Sequence, residues 1–533
     1  MAEAKLLNLL DLSFVLMETR QTPMHVAGLQ TFALPADASR DYPRQVYEYL
    51  RSFPVTAAPF NYRLRGVGSG RLRPTFEVAE KIDLDYHLRH SALPYPGGER
   101  ELGILVSRLH SNPMDLDRPL WEMHLIEGLQ GGRFALYCKL HHSLADGVSG
   151  VGLLNFSTDP RASETPPIWA ADRPRKVRTP TIPGRFGAFS LLQAAFASQA
   201  KELPSLVQGL TGTAKALFGV KPNPDFTSLA EAPRTIFNVN VTPQRRVATQ
   251  ASSLERLKAI GEAAGGSIND VVLAASSGAM RRFLLELGEL PRKSLVTSIP
   301  VALPRDSSQA GGNAISFANV RLGTDIKDVR ERFDVIRRSS TAGRDFLKQM
   351  STKALMDYTV LISSPQILTR LPGIGSRVPP TYNVIISNVP GPRGKLYFLG
   401  SEMEAYYPIS ALFHGQALNI TVLSYAGGLY FGFTGCADKV PHLQRLAVHT
   451  GEAIDELERV FLGGGDKKVR KAGKAGKARK GRKGRKGRKA GKAGKAGKAR
   501  KAGKAGKAGK GLGVSRTQAP EHLGNDDLLQ HTH

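Results

Sequence analysis

Two adjacent histidines, three spacers and an Asp-Gly pair make up the stretch of this chain best equipped for chemistry, His141-His142-Ser-Leu-Ala-Asp146-Gly147. The run before it reads Phe134-Ala-Leu136-Tyr-Cys138-Lys-Leu140, with large apolar residues at every second position. That is the period of a strand with one buried face. Continuing the alternation puts His142 on the apolar face with Leu136, Cys138 and Leu140, and His141 on the other. An imidazole leaving a strand toward a partly dry interior has its charged form disfavoured, so it stays neutral and can accept a proton. A general base for an alcohol needs that property. The competing reading is a strand-end histidine pair satisfied by backbone bonds. Both histidines, the Asp-Gly and the strand phase together favour the base.

The surrounding pattern predicts the elements that hold this stretch. Met123-His-Leu125-Ile126 reads as a strand, joined through a Gly131-Gly132 turn to the strand ending at His142, which makes a hairpin. Val148 to Leu154 suggests a short helix, so the motif sits at a strand-to-helix turn. Residues 157–187 are rich in proline and charge and read as a connector. Residues 188–218 carry helical apolar spacing broken at Pro204, for two helices that pack between domains or lie on a lipid surface. A second α/β region follows. Ser267 and Asp270 resemble a capping box ahead of a long helix. Leu295–Val301 and Asn383–Ile386 read as strands, and Leu418–Val422 with Leu429–Phe433 as a hairpin around Gly427-Gly428. The domains expected are therefore 1–156, a connector with crossover helices at 157–225, a second lobe at 226–465 and a tail at 466–533.

The chain has 533 residues, long enough for two or three domains with a large core. It has no run of about 20 apolar residues that would span a membrane, and its first residues do not read as a signal peptide. Cys138 and Cys436, the only cysteines, lie in apolar strand-like runs and read as small core residues, with no disulfide framework or metal site signalled. A reducing cytosol is the natural compartment. Most of the net charge of +28 is local: Lys467 to Lys510 holds 22 Lys and Arg and no acid. This Lys-Ala-Gly repeat has no apolar face to bury and reads as disordered. It is either a solubilising tail or one that attracts polyanions, nucleic acid or anionic lipid.

The assembled motifs resemble the bacterial wax ester synthase/diacylglycerol acyltransferase family, within the wider HHxxxDG group of CoA-dependent acyltransferases and condensation domains. The resemblance spans roughly 5–460. It rests on Leu12-Ser-Phe-Val-Leu-Met-Glu18 with Pro23-Met-His-Val26, Pro119-Leu-Trp-Glu122, the 141–147 motif, Asn269-Asp-Val-Val-Leu-Ala274, Pro300-Val-Ala-Leu303, Gly312-Asn313 with Ser316, and Ser387-Asn-Val-Pro-Gly391. It implies an α/β fold of two similar chloramphenicol-acetyltransferase-like lobes, mixed sheets flanked by helices, with a substrate tunnel between them. His142 would be the base, deprotonating a fatty alcohol or the free hydroxyl of diacylglycerol for attack on acyl-CoA, the thioester substrate; no cofactor and no metal are implied. By the same analogy Asp146 pairs with Arg305 to hold the loop, Gly147 permits its turn, and His141 orients it. Asn269 is either an oxyanion donor or a helix cap. Asn388, Ser316, Pro390 and Gly391 are candidates for the tunnel wall, and Trp121 for either the wall or the core. The implied location is cytoplasmic, peripheral to the inner membrane face or lipid inclusions.

Two other readings have specific discriminators. A condensation-type enzyme would take its acyl group from a carrier protein, and a scaffold would act through the basic tail alone. Each Lys or Arg near an anionic surface is worth about 1 kcal/mol. Deleting residues 466–533 is therefore expected to weaken salt-sensitive retention on anionic vesicles and DNA in a co-sedimentation assay, while turnover of soluble substrate analogues is kept. Unchanged retention would rule the tether out.

Overall fold

A computed structural model describes residues 5–7, 9–66, 74–144, 157–161, 164, 166–170, 223–229, 231–302, 315–350, 358 and 379–463. All belong to one compact unit, Met1–Val469. The expected helix at 148–154, the helices over 188–218, Asp146, Gly147, Arg305 and the basic tail lie outside the described residues.

The first six-stranded sheet centres on the hairpin that carries the histidines. Strands β6 (Trp121–Leu129) and β7 (Arg133–His141) pair antiparallel around Gly131 and Gly132, whose φ values of 78° and 65° suit glycine. β7 also pairs antiparallel with β2 (His25–Ala33), from His25 opposite His141 to Ala33 opposite Arg133. β5 (Leu88–Ala92) runs parallel to β6, which makes the sheet mixed. The strand phase read from sequence holds: Leu136, Cys138 and Leu140 pack with Trp121, Met123 and Leu125, while Ala135 and Tyr137 face the opposite cluster. The opposite face is not solvated, however. Every residue from Phe134 to His141 is buried.

The second six-stranded sheet is also mixed, with β11 (Val384–Pro390) parallel to both β9 (Val296–Ala302) and β14 (Leu418–Tyr425). β14 and β15 (Gly428–Cys436) form the expected hairpin, with Ala426 and Gly427 as the left-handed turn residues, one position earlier than Gly427-Gly428. Helices α6 (Ile268–Glu286), α7 (Val329–Lys348) and α8 (Leu443–Phe461) contribute to the core of this sheet. The capping box of α6 is present: Ser267 Oγ accepts from Asp270 N, and Asp270 Oδ2 accepts from Ser267 N at 2.9 Å.

The sheets do not follow chain order. β13 (Ser401–Ile409), expected with the second lobe, pairs instead with β2 and extends the first sheet. It crosses so close to β15 that a Cβ on Gly432 would overlap the Pro408 carbonyl. In return, α4 (Glu99–Ser111) of the first region covers β8 (Arg245–Ser253), the edge of the second sheet: Ser111 Oγ accepts from Arg245 N at 2.8 Å, and Ser107 Oγ from Val247 N at 2.9 Å. Two serines one helical turn apart thus satisfy an edge that would otherwise offer free donors. Part of the expected connector is also integral. Trp169 is fully buried, stacks on Trp121 at 5.1 Å, and its carbonyl accepts from the Thr56 and Ala57 amides.

The polar face of the histidine-bearing hairpin is held by a buried ion pair. Lys139, with no exposed surface, places Nζ 3.0 Å from Glu122 Oε2 and donates to the Asn112 carbonyl. Burial alone would raise the Glu122 carboxyl, but His124, Lys139 and Arg89 outweigh it and hold the group at about 2. Removing one partner of such a pair strands the other and costs about 3–5 kcal/mol, so Lys139→Ala should lose about that much in urea unfolding. The sign for pH follows from a folded value below the ordinary 4.5: the contribution is complete above that value and fades as pH falls toward 2. Glu122→Gln should flatten that segment of the stability–pH curve.

Candidate active site

The two histidines stand at the end of β7, and each is fixed by backbone first. The His141 amide donates to the Leu120 carbonyl at 3.0 Å, and the His142 amide to the Met24 carbonyl at 2.8 Å, so the Met24-His25 start of β2 holds the motif. The His142 ring is half-buried and stacks on Phe14 of α1 (Leu9–Met17), with centroids 4.0 Å apart and planes 11° from parallel. One ring face is therefore packed and its orientation set.

His141 is buried, with Nδ1 bonded to Ser143 and Nε2 facing the Glu18 carboxylate. Nδ1 accepts the Ser143 amide at 3.1 Å and lies 2.6 Å from Ser143 Oγ. A nitrogen that accepts an amide carries no proton, so the proton of the neutral ring sits on Nε2, which faces Glu18 Oε2 at 3.4 Å. The same Glu18 oxygen accepts the Met24 amide. Glu18 thus ties the end of α1, the start of β2 and the first histidine together. His141 is committed to this clamp, while His142 projects from the neighbouring position.

Next to the clamp, His25 Nε2 lies 2.9 Å from the His110 carbonyl, and His110 Nδ1 lies 2.9 Å from Tyr137 Oη. Burial drives both rings well below the usual histidine range, His110 to about 3, with Lys139 and Arg245 pushing the same way. Both are neutral packing groups. Cys138 is likewise inert, its thiol pushed up to about 12 by burial.

A pocket of about 210 Å³ opens in the second sheet. Its apolar walls are Ile299, Pro300 and Val301 of β9 and Ile386 of β11, and its polar groups are Asn269, Asn388 and Arg344. Two of the residues singled out from sequence meet here. Asn269 sits in the first turn of α6, where Ser267 and Asp270 do the capping, and it lines the pocket. Asn388 lines it from β11. Ser316 is buried opposite Val301 in the β9 pairing with β10 (Ile315–Arg321), one strand removed.

The other tunnel candidates are placed elsewhere. Trp121 is a core residue: it has no exposed surface, its Nε1 donates to the Phe60 carbonyl at 2.8 Å, and it packs between His87 and Trp169. Pro390 closes β11 opposite Ser424. Gly391 is required because any Cβ would overlap the Ser424 carbonyl. Neither lines the pocket, and neither does His142. Three residues were not singled out for the site. Glu18 and Phe14 lie in the opening motif, whose spacing marked a likeness without a role. Arg344 carried no sequence signal, since α7 is rich in arginine.

The catalytic-domain pattern described as wax ester synthase/diacylglycerol acyltransferase matches residues 7–272, and the family's C-terminal domain pattern matches residues 311–458. This chain belongs to that family. As an acyltransferase it has relatives in Mycobacterium tuberculosis named as diacylglycerol O-acyltransferases. One is 41% identical over 477 residues, covering 84% of this chain and 96% of the relative. Another is 39% identical over 453 residues, covering 84% and 98%. Among solved structures, the wax ester synthase/diacylglycerol acyltransferase from Marinobacter aquaeolei VT8 is similar at a TM-score of 0.69 and 36% identity, covering 85% of this chain and 98% of that one. The first condensation domain of the CDA synthetase, at 17% identity and a TM-score of 0.50, shares the fold.

The Glu18 clamp has a direct test. Glu18→Gln keeps an acceptor for the Met24 amide but removes the charge facing His141. If the clamp positions the neighbouring His142, the variant should lose kcat about tenfold or more with KM little changed; an unaltered kcat would show the clamp to be dispensable.

Proposed function

We propose that this acyltransferase moves a fatty acyl group from acyl-CoA to a long-chain alcohol or to the free hydroxyl of diacylglycerol, with His142 as the general base. The observation that carries the reading is the asymmetry of the pair. His141 is buried between Glu18 and Ser143, whereas His142 is half-buried at the strand end, with its amide held by Met24 and one ring face on Phe14. His142 takes the proton from the acceptor hydroxyl as the oxygen attacks the thioester carbonyl. The tetrahedral intermediate collapses, the C–S bond breaks, and the proton passes from His142 to the departing thiolate, so ester and free thiol leave. The thioester is already activated, so no acyl-enzyme is needed once both substrates are held together. The carboxamides of Asn269 and Asn388 offer hydrogen bonds to the bound donor.

The relatives' names support the choice of acceptors. The likeness to a condensation domain is one of fold and brings no carrier-protein donor with it. Among the described residues no helix is long and apolar enough to cross a membrane. The basic run at 467–510 would supply peripheral contact with an anionic membrane face or lipid inclusion, and with other polyanions such as nucleic acid.

Purified protein given labelled palmitoyl-CoA with hexadecanol, diacylglycerol or a long-chain amine should form ester with the first two. General-base catalysis contributes about 10²–10⁴-fold, and His142→Ala should lose a factor in that range. Undiminished turnover would remove His142 from the mechanism, and amide as the main product would overturn the acceptor class.

A further inference from the structure

The pocket in the second sheet contains a cation that the acyl-transfer chemistry has not used. We propose that Arg344 is the donor-recognition residue of this enzyme, gripping a phosphate of the CoA moiety; the proposal rests on the acyl-CoA reading above.

Arg344 differs from the other arginines of α7. Arg338 pairs with Asp225, Arg337 with Asp334 and Arg332 with Glu456. Arg330 donates to the Val460 carbonyl and lies over the Phe461 ring. Among the described residues, Arg344 has only a 3.5 Å contact from Nη2 to Thr341 Oγ1, one turn back on its own helix. That length is at the limit of a hydrogen bond. A half-buried guanidinium with no carboxylate partner among the described residues, facing a pocket, is suited to an anionic ligand.

Its position is set by neighbours that are fully engaged. Asp270 accepts from Ser267 with Oδ2 and from Ser340 Oγ with Oδ1 at 2.6 Å, which buckles the start of α6 to α7. Ser340 and Arg344 lie one turn apart on the same face of α7. The buckle therefore brings Arg344 to the same pocket as Asn269. Gly343 lets α7 approach β10, where a Cβ would come within 3.2 Å of Ala318. The positive end of α6 adds to the guanidinium field.

The chemistry of the reactants selects the ligand. Diacylglycerol and fatty alcohols are uncharged, so a lone cation gains nothing from them. The CoA moiety carries phosphates, which guanidinium binds in a bidentate fashion. At about 210 Å³ the pocket is smaller than the ~300–1,000 Å³ usual for a drug-sized ligand, so it takes one segment of a large donor.

The test compares palmitoyl-CoA with palmitoyl-S-N-acetylcysteamine, a thioester that lacks every phosphate, using the full chain and hexadecanol. Arg344→Gln should raise KM for palmitoyl-CoA about tenfold or more, leave the KM values for the truncated thioester and for hexadecanol unchanged, and abolish inhibition by adenosine 3′,5′-bisphosphate. Arg344→Lys should restore part of the CoA preference, and it carries the comparison if the glutamine variant melts early. Equal losses with both donors, or no loss with either, would overturn the proposal alone. Wild-type protein that makes no ester from either donor would overturn the acyl-transfer reading and the proposal with it.

Discussion

The antiparallel ladder between β2 and β7 is the constraint on which the site depends. It sets His25 opposite His141, and one residue beyond the paired strands the His142 amide is bound by the Met24 carbonyl. A shift of one residue would exchange the faces of every side chain on β7. His141 would then leave Glu18 and Lys139 would leave Glu122, exposing buried charges to an apolar cluster. The register is therefore enforced from both faces, by packing on one side and by ion pairing on the other. The position of the His142 imidazole follows from that enforcement and from its stack on Phe14.

Reciprocal edge exchange keeps this ladder inside one body. β13 leaves the second sheet's stretch of chain to cover β2, and α4 covers β8 through two serine hydroxyls. Each region thus caps an edge that the other would expose. Coupling two mixed sheets in this way suits a reaction of two substrates. The first sheet holds the histidine pair, and the second holds a pocket where the α6–α7 buckle brings Asn269 and Arg344 together and β11 supplies Asn388. Family membership supplies the class of reaction, and this division of labour gives it a physical basis.

The locally encoded features were legible. The alternation from Phe134 to Leu140 gave the phase of β7, the paired glycines gave both hairpins, and Ser267 with Asp270 gave the start of α6. The placement of β13 was not legible, because periodicity identifies a strand and says nothing of its neighbour. Lys139 made the polar face of β7 look solvated, and only its distant partner Glu122 turns that face into buried structure. At the site, His142 could be singled out from its own motif. Glu18 needed the tertiary contact with His141 to acquire a role, and Asn269 needed the pocket to be separated from its capping neighbours. Arg344 became distinct only when the partners of the other α7 arginines were known.

As the proposed base, the His142 imidazole receives the proton of the acceptor hydroxyl. A crystal structure of the wild-type enzyme with CoA and a long-chain alcohol tests it most directly. The alcohol oxygen should lie about 3 Å from a His142 ring nitrogen, with His141 still beside Glu18. An ordered alcohol whose hydroxyl is bound by other groups, out of reach of that ring, would contradict it.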